Sequence, residues 1–172
     1  MRLFLLALGL ALCCRAAAQP QEHEVKAAFL YKFLSFVEWP AQSFARAGAP
    51  LVIGVVGADD VHFALQEIVP GRSAQGRPLE LRKLKDGERP AGVHMLFVGR
   101  AAAASLPKLP AQPGLLVVGE TEGALEQGAM INFLRVEDRV RFEVAPEAAE
   151  RRGLRISSRM LAVAQQVRPG RP

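Results

Sequence analysis

The residue types that carry out most enzyme chemistry are few and widely separated in this sequence. The three histidines, His23, His62 and His94, fall on three different predicted elements, and none has a second histidine four residues away. Zinc sites built on one helix need that spacing, because it places two imidazoles on the same face. We therefore expect each histidine to be an ordinary surface or core residue, and we expect no metal or other cofactor.

Two carboxylates and one glycine-containing turn are the remaining candidates for a reactive site. Glu120 and Glu122 follow a predicted strand, where α/β proteins often bind ligands. Carboxylates in a turn are more often solvated than catalytic, so acid–base catalysis stays a minor alternative. The turn at residues 54–60 lacks the spacing of dinucleotide-binding loops, and its Asp59 and Asp60 would repel a phosphate. Because the sequence contains neither a phosphate-binding loop nor a nucleophile elbow, we predict that the protein is not an enzyme.

The amino terminus has the pattern of an export signal. Arg2 precedes an apolar run at residues 3–14, and small residues up to Ala18 follow it. This run is too short to cross a bilayer, which needs about 20 apolar residues. We predict a signal peptide over residues 1–18 that is cleaved after Ala18. A lipoprotein is the less favoured alternative, because neither cysteine follows the small residue that usually precedes an acylated cysteine.

Cleavage would change the chemistry that remains in the mature chain. Cys13 and Cys14 would be removed with the signal peptide, so thiol catalysis, disulfides and cysteine-bound zinc are excluded for the mature protein. Arg2 and Arg15 also leave, and 20 of the 22 basic side chains then remain beside 17 acidic ones. Since both charges are interspersed and no run of five like charges occurs, we expect no nucleic acid partner.

The composition is that of one ordinary globular domain. Half of the 172 residues are apolar, 23% are charged, and no internal repeat or low-complexity tract is visible. About 150 residues are enough to bury a core without disulfides. We place a single domain at residues 22–167. Residues 168–172 include no large apolar side chain, so we expect them to form a frayed tail.

Segments typical of strands and helices alternate after residue 50. Short apolar runs bounded by turn residues predict buried strands, and one segment of mixed polarity predicts a half-exposed strand. The predicted strands are 51–56, 79–84, 94–98 and 115–118, and the predicted helices are 59–69 and 101–106. Strands that are separated by helices favour right-handed crossovers and a parallel sheet.

The pattern changes near the carboxyl end. Residues 130–134 and 139–144 predict an antiparallel hairpin with one buried face, because the second segment alternates apolar side chains with Arg139, Arg141 and Glu143. The helices predicted to follow are 146–153 and 159–167. We therefore predict an α/β fold: a single compact domain with a mostly parallel sheet, flanking helices and an added antiparallel hairpin.

The first predicted element is an aromatic helix at residues 22–37. It contains neither glycine nor proline, and Pro40 limits its end. The only tyrosine, the only tryptophan and three of the nine phenylalanines lie between residues 29 and 39. The favoured interpretation is a helix packed between the sheet and another helix. The alternative is that part of this aromatic surface binds a ligand or a partner.

Specific motifs recur along nearly the whole mature chain. They lie at residues 24–40, 53–57, 71–78, 94–98, 118–120, 128–133, 139–143 and 153–161. The most specific are the F-x-x-F-x-x-W-P ending of the first helix, Gly-x-Met-Ile-Asn-Phe at 128–133, and Leu-x-Ile-Ser-Ser-x-x-Leu at 154–161. In order and spacing these motifs resemble the YfiR-like family of bacterial periplasmic proteins.

The resemblance implies a periplasmic regulator rather than a catalyst. Members of this family are similar to a periplasmic inhibitor that holds an inner-membrane diguanylate cyclase inactive and is itself sequestered by an outer-membrane lipoprotein. Other members are associated with sensor histidine kinases. By this resemblance, the protein would bind the periplasmic sensing segment of such a membrane enzyme and modulate cyclic di-GMP signalling or phosphorylation. A homodimer is compatible with this role, and the sequence carries no marker of stoichiometry.

We expect the contact with a partner to use the aromatic helix and the hairpin. The alternative function is a periplasmic small-molecule binding module without catalytic activity, with a pocket near Asn132, Ser157 and Ser158. These residue types also have structural roles, since asparagine in a hairpin and serine at a helix start satisfy backbone groups. The candidate contact residues are Phe29, Tyr31, Lys32, Trp39, Asn132, Phe133, Ser157 and Ser158.

Overall fold

The computed structural model describes residues 21–169. The helices in this range are α1 (Glu22–Phe33), α2 (Asp59–Ile68), α3 (Pro146–Glu150) and α4 (Ser158–Val163), and 3-10 helices lie at Ala41–Ser43 and Arg100–Lys108. The strands are β1 (Val37–Glu38), β2 (Leu51–Val56), β3 (Ser73–Ala74), β4 (Arg77–Lys83), β5 (Met95–Val98), β6 (Leu116–Gly119), β7 (Ile131–Val136), β8 (Arg139–Val144), β9 (Arg155–Ile156) and β10 (Gln166–Val167). The predicted signal peptide, residues 1–18, lies outside the described residues. No helix within 21–169 is long and apolar enough to cross a membrane.

One large sheet organises the molecule. Its strand order is β10-β8-β7-β6-β5-β2-β4-β3. The strands from β4 through β2, β5 and β6 to β7 run parallel to their neighbours. The strand β8 is antiparallel to β7 and forms the predicted hairpin, and β3 is antiparallel to β4. The predicted α/β fold, with its mostly parallel sheet, flanking helices and antiparallel hairpin, is therefore confirmed.

Apolar side chains fill a layer on each face of the sheet. On one face, α1 contributes Leu30 and Phe33 and α2 contributes Leu65 to the core. On the other face, the 3-10 helix Arg100–Lys108 buries Ala102 and Leu106 against β5 and β6. Every residue of β5 and of β6 is buried. Strands covered on both faces have continuous apolar sequences, and this explains why these two were visible in the sequence.

The first helix ends earlier than its sequence pattern indicates. We predict a helix to residue 37, but α1 ends at Phe33, and Val37–Glu38 forms strand β1 antiparallel to β9. The side chain of Gln75 donates hydrogen bonds to the carbonyl oxygens of Leu34 and Val37. Contacts with distant segments therefore satisfy the backbone groups that a longer helix would have paired internally.

The segment after β5 forms a 3-10 helix. We predict a helix over residues 101–106, and the structure has one over Arg100–Lys108 that contains Pro107. Proline has no backbone N–H and its ring clashes with the preceding turn of an α-helix. A 3-10 helix tightens the backbone and still allows the apolar residues to pack on the sheet.

The carboxyl end contains a strand that the sequence pattern does not predict. The predicted helix 159–167 is α4 followed by strand β10, which pairs in parallel with β8. The Ser157 side chain accepts a hydrogen bond from the Met160 N–H and caps α4, as serine in this position does elsewhere. Arg168, placed by the sequence in a frayed tail, instead donates its backbone N–H to the carbonyl oxygen of Val144. Residues 170–172 lie outside the described part of the chain.

Candidate functional site

A cleft opens where strand β6 ends beside the longer strand β7. Gly119, the last residue of β6, pairs with Asn132, and β7 continues beyond it to Val136. The cleft has a volume of about 390 Å³. It is lined by Glu22, Lys26, Arg100, Glu120, Glu122, Gly123, Glu126, Phe133, Leu134, Arg135, Glu143 and Arg168. Because nine of these twelve residues are charged, we call it the charged cleft.

A buried lysine joins helix α1 to the end of the sheet. The Lys26 ammonium forms ion pairs with Glu22, one helical turn before it, and with Glu120, which directly follows β6. The other oxygen of Glu120 accepts the backbone N–H of Arg100 at 2.8 Å. The side chains of Lys26 and Glu120 are only 8% and 9% exposed. The hydrogen bond from Lys26 also lowers the pKa of the Glu22 carboxyl below its ordinary value.

The second group of charges lies on the hairpin. The amide nitrogen of Asn132 donates to one oxygen of Glu143 at 2.9 Å, and the Arg168 guanidinium lies 2.7 Å from the other. Both Asn132 and Glu143 are buried. The predicted alternation of β8 places Glu143 on a solvated face, and this part of the prediction is wrong. Arg168 and Asn132 together compensate the carboxylate, so it can be buried in the sheet.

Three buried polar atoms beside these networks have no hydrogen-bond partner within the described residues: the Oδ1 atom of Asn132, the Oγ1 atom of Thr121 and the Oε2 atom of Glu143. The Glu143 oxygen is held by its ion pair with Arg168, whereas the other two atoms lack even an ion pair. Most buried polar atoms are paired with protein or with ordered water. Neither Asn132 nor Thr121 is among the residues that line the charged cleft.

The chemistry that this arrangement supports is binding. The carboxylates of Glu120 and Glu143 are held by cations and by N–H donors, so neither is positioned as a free base. Glu122, the other carboxylate considered from the sequence, is exposed. No group of three or more metal-ligating side chains occurs within residues 21–169. Fixed charges of both signs instead favour recognition of a partner or ligand with complementary charges.

The usual ligand site of a doubly wound sheet is closed in this protein. Such sheets bind ligands at the carboxyl ends of the two strands where the chain changes direction across the sheet, here β2 and β5. A side-chain carbon added at Gly99 would lie 2.3 Å from the carbonyl oxygen of Gly57. One added at Gly57 would lie 2.5 Å from the backbone nitrogen of Ala102. The glycine turn at residues 54–60 therefore packs closely, backbone on backbone, against Gly99 and Ala102.

The predicted aromatic contact residues divide between the core and the surface. Trp39 is buried, and its indole N–H donates to the carbonyl oxygens of Gly114 at 3.0 Å and His94 at 3.3 Å. It is a core residue and offers no surface to a partner, which corrects the prediction. Phe29 and Tyr31 are half-buried, and Lys32 is exposed. These three remain available as contact residues.

The other predicted contact residues do not form one pocket. Phe133 lines the charged cleft, and Asn132 lies directly behind it in the sheet. Ser157 caps α4, its backbone N–H donates to Phe36, and neither it nor the exposed Ser158 lines the cleft. The predicted combination of Asn132 with the two serines is therefore not supported by the structure.

Sequence reasoning named Glu120, Glu122 and Phe133 of the charged cleft but missed the buried charge pairs that build it. The spacing of Glu22 and Lys26 predicts an ion pair on one helix face, but it does not predict that the pair is buried against Glu120. The sequence does not indicate that Glu143 is buried, because an acidic residue in an alternating strand is expected to face solvent. Its partner Arg168 lies beyond the last predicted helix.

Comparison with known proteins agrees with the resemblance seen in the motifs. No curated protein matched the chain. The model of the YfiR/HmsC-like family matches residues 23–165, a range that contains α1 except its first residue, both residues of the Lys26–Glu120 pair and the hairpin. Because this match covers most of the 172 residues, the chain belongs to the YfiR/HmsC-like family.

Proposed function

We propose that this protein is a periplasmic regulator that binds the periplasmic sensing segment of an inner-membrane signalling enzyme and restrains it. The observation that carries the proposal is the family match over residues 23–165. The family is regulatory, non-catalytic and in general periplasmic. Within it we favour a diguanylate cyclase over a sensor histidine kinase as the partner, and cyclic di-GMP as the signal that changes.

The charged cleft and the neighbouring face of α1 are the contact surface in this proposal. Buried ion pairs hold the floor of the cleft rigidly, while the Arg100 and Arg135 side chains are exposed at its rim. Exposed charges around an ordered centre favour selection among partners. Phe29 and Lys32 add a half-buried apolar side chain and an exposed cation on α1.

Restraint of the enzyme follows from differential binding. A regulator shifts its partner toward one conformation only by binding that conformation more tightly than the other. Sequestration by a third protein, for which an outer-membrane lipoprotein is our candidate, would remove the regulator and release the enzyme. A homodimer of this chain would present the same contact surface twice.

The cellular test measures cyclic di-GMP after deletion of the gene and complementation with variants. We expect deletion to raise the cyclic di-GMP concentration and the wild-type protein to lower it again to its original level. Arg100→Glu reverses a charge at the rim of the cleft, and we expect that it does not restore this original level. Lys108→Glu, at the other end of the same 3-10 helix and also exposed, is the matched control and should restore it. Unchanged cyclic di-GMP after deletion would contradict a role in cyclase control.

A small-molecule binding module is the second candidate function. It is favoured by two unpartnered buried atoms, Asn132 Oδ1 and Thr121 Oγ1, whose residues are the chain neighbours of Phe133 and Glu120 in the charged cleft. Such atoms gain most from a ligand that supplies the missing hydrogen bonds. Calorimetric binding of a metabolite by the isolated protein, abolished by Asn132→Leu in a folded variant, would support this function without any protein partner.

A further inference from the structure

A second feature lies at the opposite end of the sheet from the charged cleft. His94 directly precedes β5 and is only 7% exposed. Its Nδ1 atom accepts the backbone N–H of Val52 at 3.1 Å, and its Nε2 atom lies 3.1 Å from the carbonyl oxygen of Ser43. Since a carbonyl can only accept, Nε2 carries the proton and Nδ1 does not. This geometry requires the neutral imidazole.

The same histidine holds the segment 41–50 against the sheet. The ring of Phe44 stacks on the imidazole with a centroid distance of 4.5 Å and an interplanar angle of 19°. On the Phe44 ring lies the Arg77 guanidinium, 3.5 Å from the ring centroid, which also donates to the Ala49 carbonyl oxygen at 2.9 Å. The segment is therefore fixed through Ser43 and Phe44 by the imidazole and through Ala49 by Arg77.

Protonation of the His94 imidazole at Nδ1 would break the hydrogen bond that this atom accepts from Val52. A proton on Nδ1 would face the Val52 N–H of β2, which is itself a donor. Burial and the Arg77 charge on β4 lower the pKa of His94, and the Ser43 carbonyl of the segment only partly offsets them. The Trp39 indole N–H donates to the backbone oxygen of His94. No carboxylate within residues 21–169 contributes to the pKa of His94.

We propose that His94 is an acid-sensitive latch that releases segment 41–50 from the sheet when its ring gains a second proton. We call the state with segment 41–50 released the open form and the state described above the closed form. In the open form the ring is solvated, and its pKa is near the ordinary histidine value of about 6.5. As the pH falls below that value, the open form binds the extra proton and the closed form resists it. The opening equilibrium therefore rises by up to about tenfold per pH unit until the lowered pKa of the closed form is reached.

The latch is tested by amide hydrogen exchange of the whole protein at about pH 7.5 and about pH 5, corrected for the chemical exchange rate. We expect protection of residues 41–52 to fall in acid, by up to the roughly 30-fold that about 1.5 pH units below the ordinary histidine pKa allows, while β6 keeps its protection. His94→Gln, which cannot take up the proton, should show no such pH dependence. His62→Gln, on α2, is the matched control and should behave as the wild type.

Two results would overturn the latch. One is equal protection of residues 41–52 at both pH values in the wild type. The other is an unchanged pH dependence in His94→Gln, because a different group would then be responsible. If His94→Gln fails to fold, an NMR titration of the wild-type imidazole decides the question. A His94 pKa below the ordinary value supports the latch, and a value at or above it refutes the latch.

Discussion

Lys26 illustrates how this molecule accommodates buried charge. Its ammonium is compensated by Glu22 and Glu120, and Glu120 is further stabilised by the Arg100 backbone N–H. A buried ion pair contributes little net stability compared with an apolar pair of the same size. Removing one member is costly, however, because the other charge then stays buried without compensation. Lys26 and Glu120 should therefore depend strongly on one another.

Lys26→Met tests this dependence. We expect it to lower the free energy of unfolding by about 3 kcal/mol, because the Glu120 carboxylate is left buried beside a methionine. The double variant Lys26→Met/Glu120→Gln should lose less, since a neutral amide can still accept the Arg100 N–H. Urea unfolding of both variants measures the two values. A double variant that is less stable than the single one would show that the two charges are not coupled.

Glu22 gives the stability a defined dependence on pH. Its pKa is lowered, chiefly by the hydrogen bond from Lys26, so folding favours the ionised carboxylate. The stabilisation is fully present above the ordinary pKa of 4.5 and is lost as the pH falls through the lowered pKa of the folded state. Glu22→Gln should therefore destabilise the protein more at about pH 7 than at about pH 3.

Urea unfolding at both pH values measures this difference. Glu67→Gln, on the exposed part of α2, is the control and should change the stability little at either pH. If Glu22→Gln destabilises the protein equally at both pH values, the ionised carboxylate is not the source of its contribution.

At the scale of elements, local patterns predict strands better than helix ends. The segments 51–56 and 94–98 were predicted within one residue of β2 and β5, because apolar runs between turns are specific for buried strands. The end of α1 depends on Gln75, more than 30 residues away, which no local pattern contains. The buried ion pairs of the charged cleft were missed for the same reason. Ion pairs of this cleft join residues up to 113 positions apart.

The hairpin turn contains two residues whose replacement should increase stability. Glu137 and Asp138 connect β7 to β8 with positive φ angles of 48° and 57°. Such two-residue turns favour Asn-Gly, because most side chains are strained in the left-handed region. Glu137→Asn/Asp138→Gly should therefore raise the free energy of unfolding by about 1 kcal/mol.

Thermal or urea unfolding measures the gain from the new turn. The control is Asp86→Gly, at a turn position outside the positive-φ residues, which should be neutral or destabilising because glycine only adds freedom to the unfolded chain. An equal gain at both positions would mean that the left-handed backbone of the hairpin turn is not strained.

At the scale of the whole molecule, the sheet separates two features. The charged cleft lies at the carboxyl end of β6, and the His94 latch lies at the amino end of β5. Rigid buried strands connect the two ends. The cleft is therefore held in shape by the core, while segment 41–50 can open without disturbing it. This arrangement suits a regulator that must recognise one conformation of a partner.

The most direct test of the proposed function is a cross-linked pull-down of the tagged protein from the envelope of its own cells, followed by mass spectrometry. We expect an inner-membrane cyclase or kinase with a periplasmic segment to co-purify with the wild type and with Lys108→Glu. We expect its recovery to fall at least tenfold with Arg100→Glu, a loss of about 1.4 kcal/mol of binding. Recovery of no signalling enzyme by a folded and efficiently cross-linked wild-type protein would contradict the regulator function.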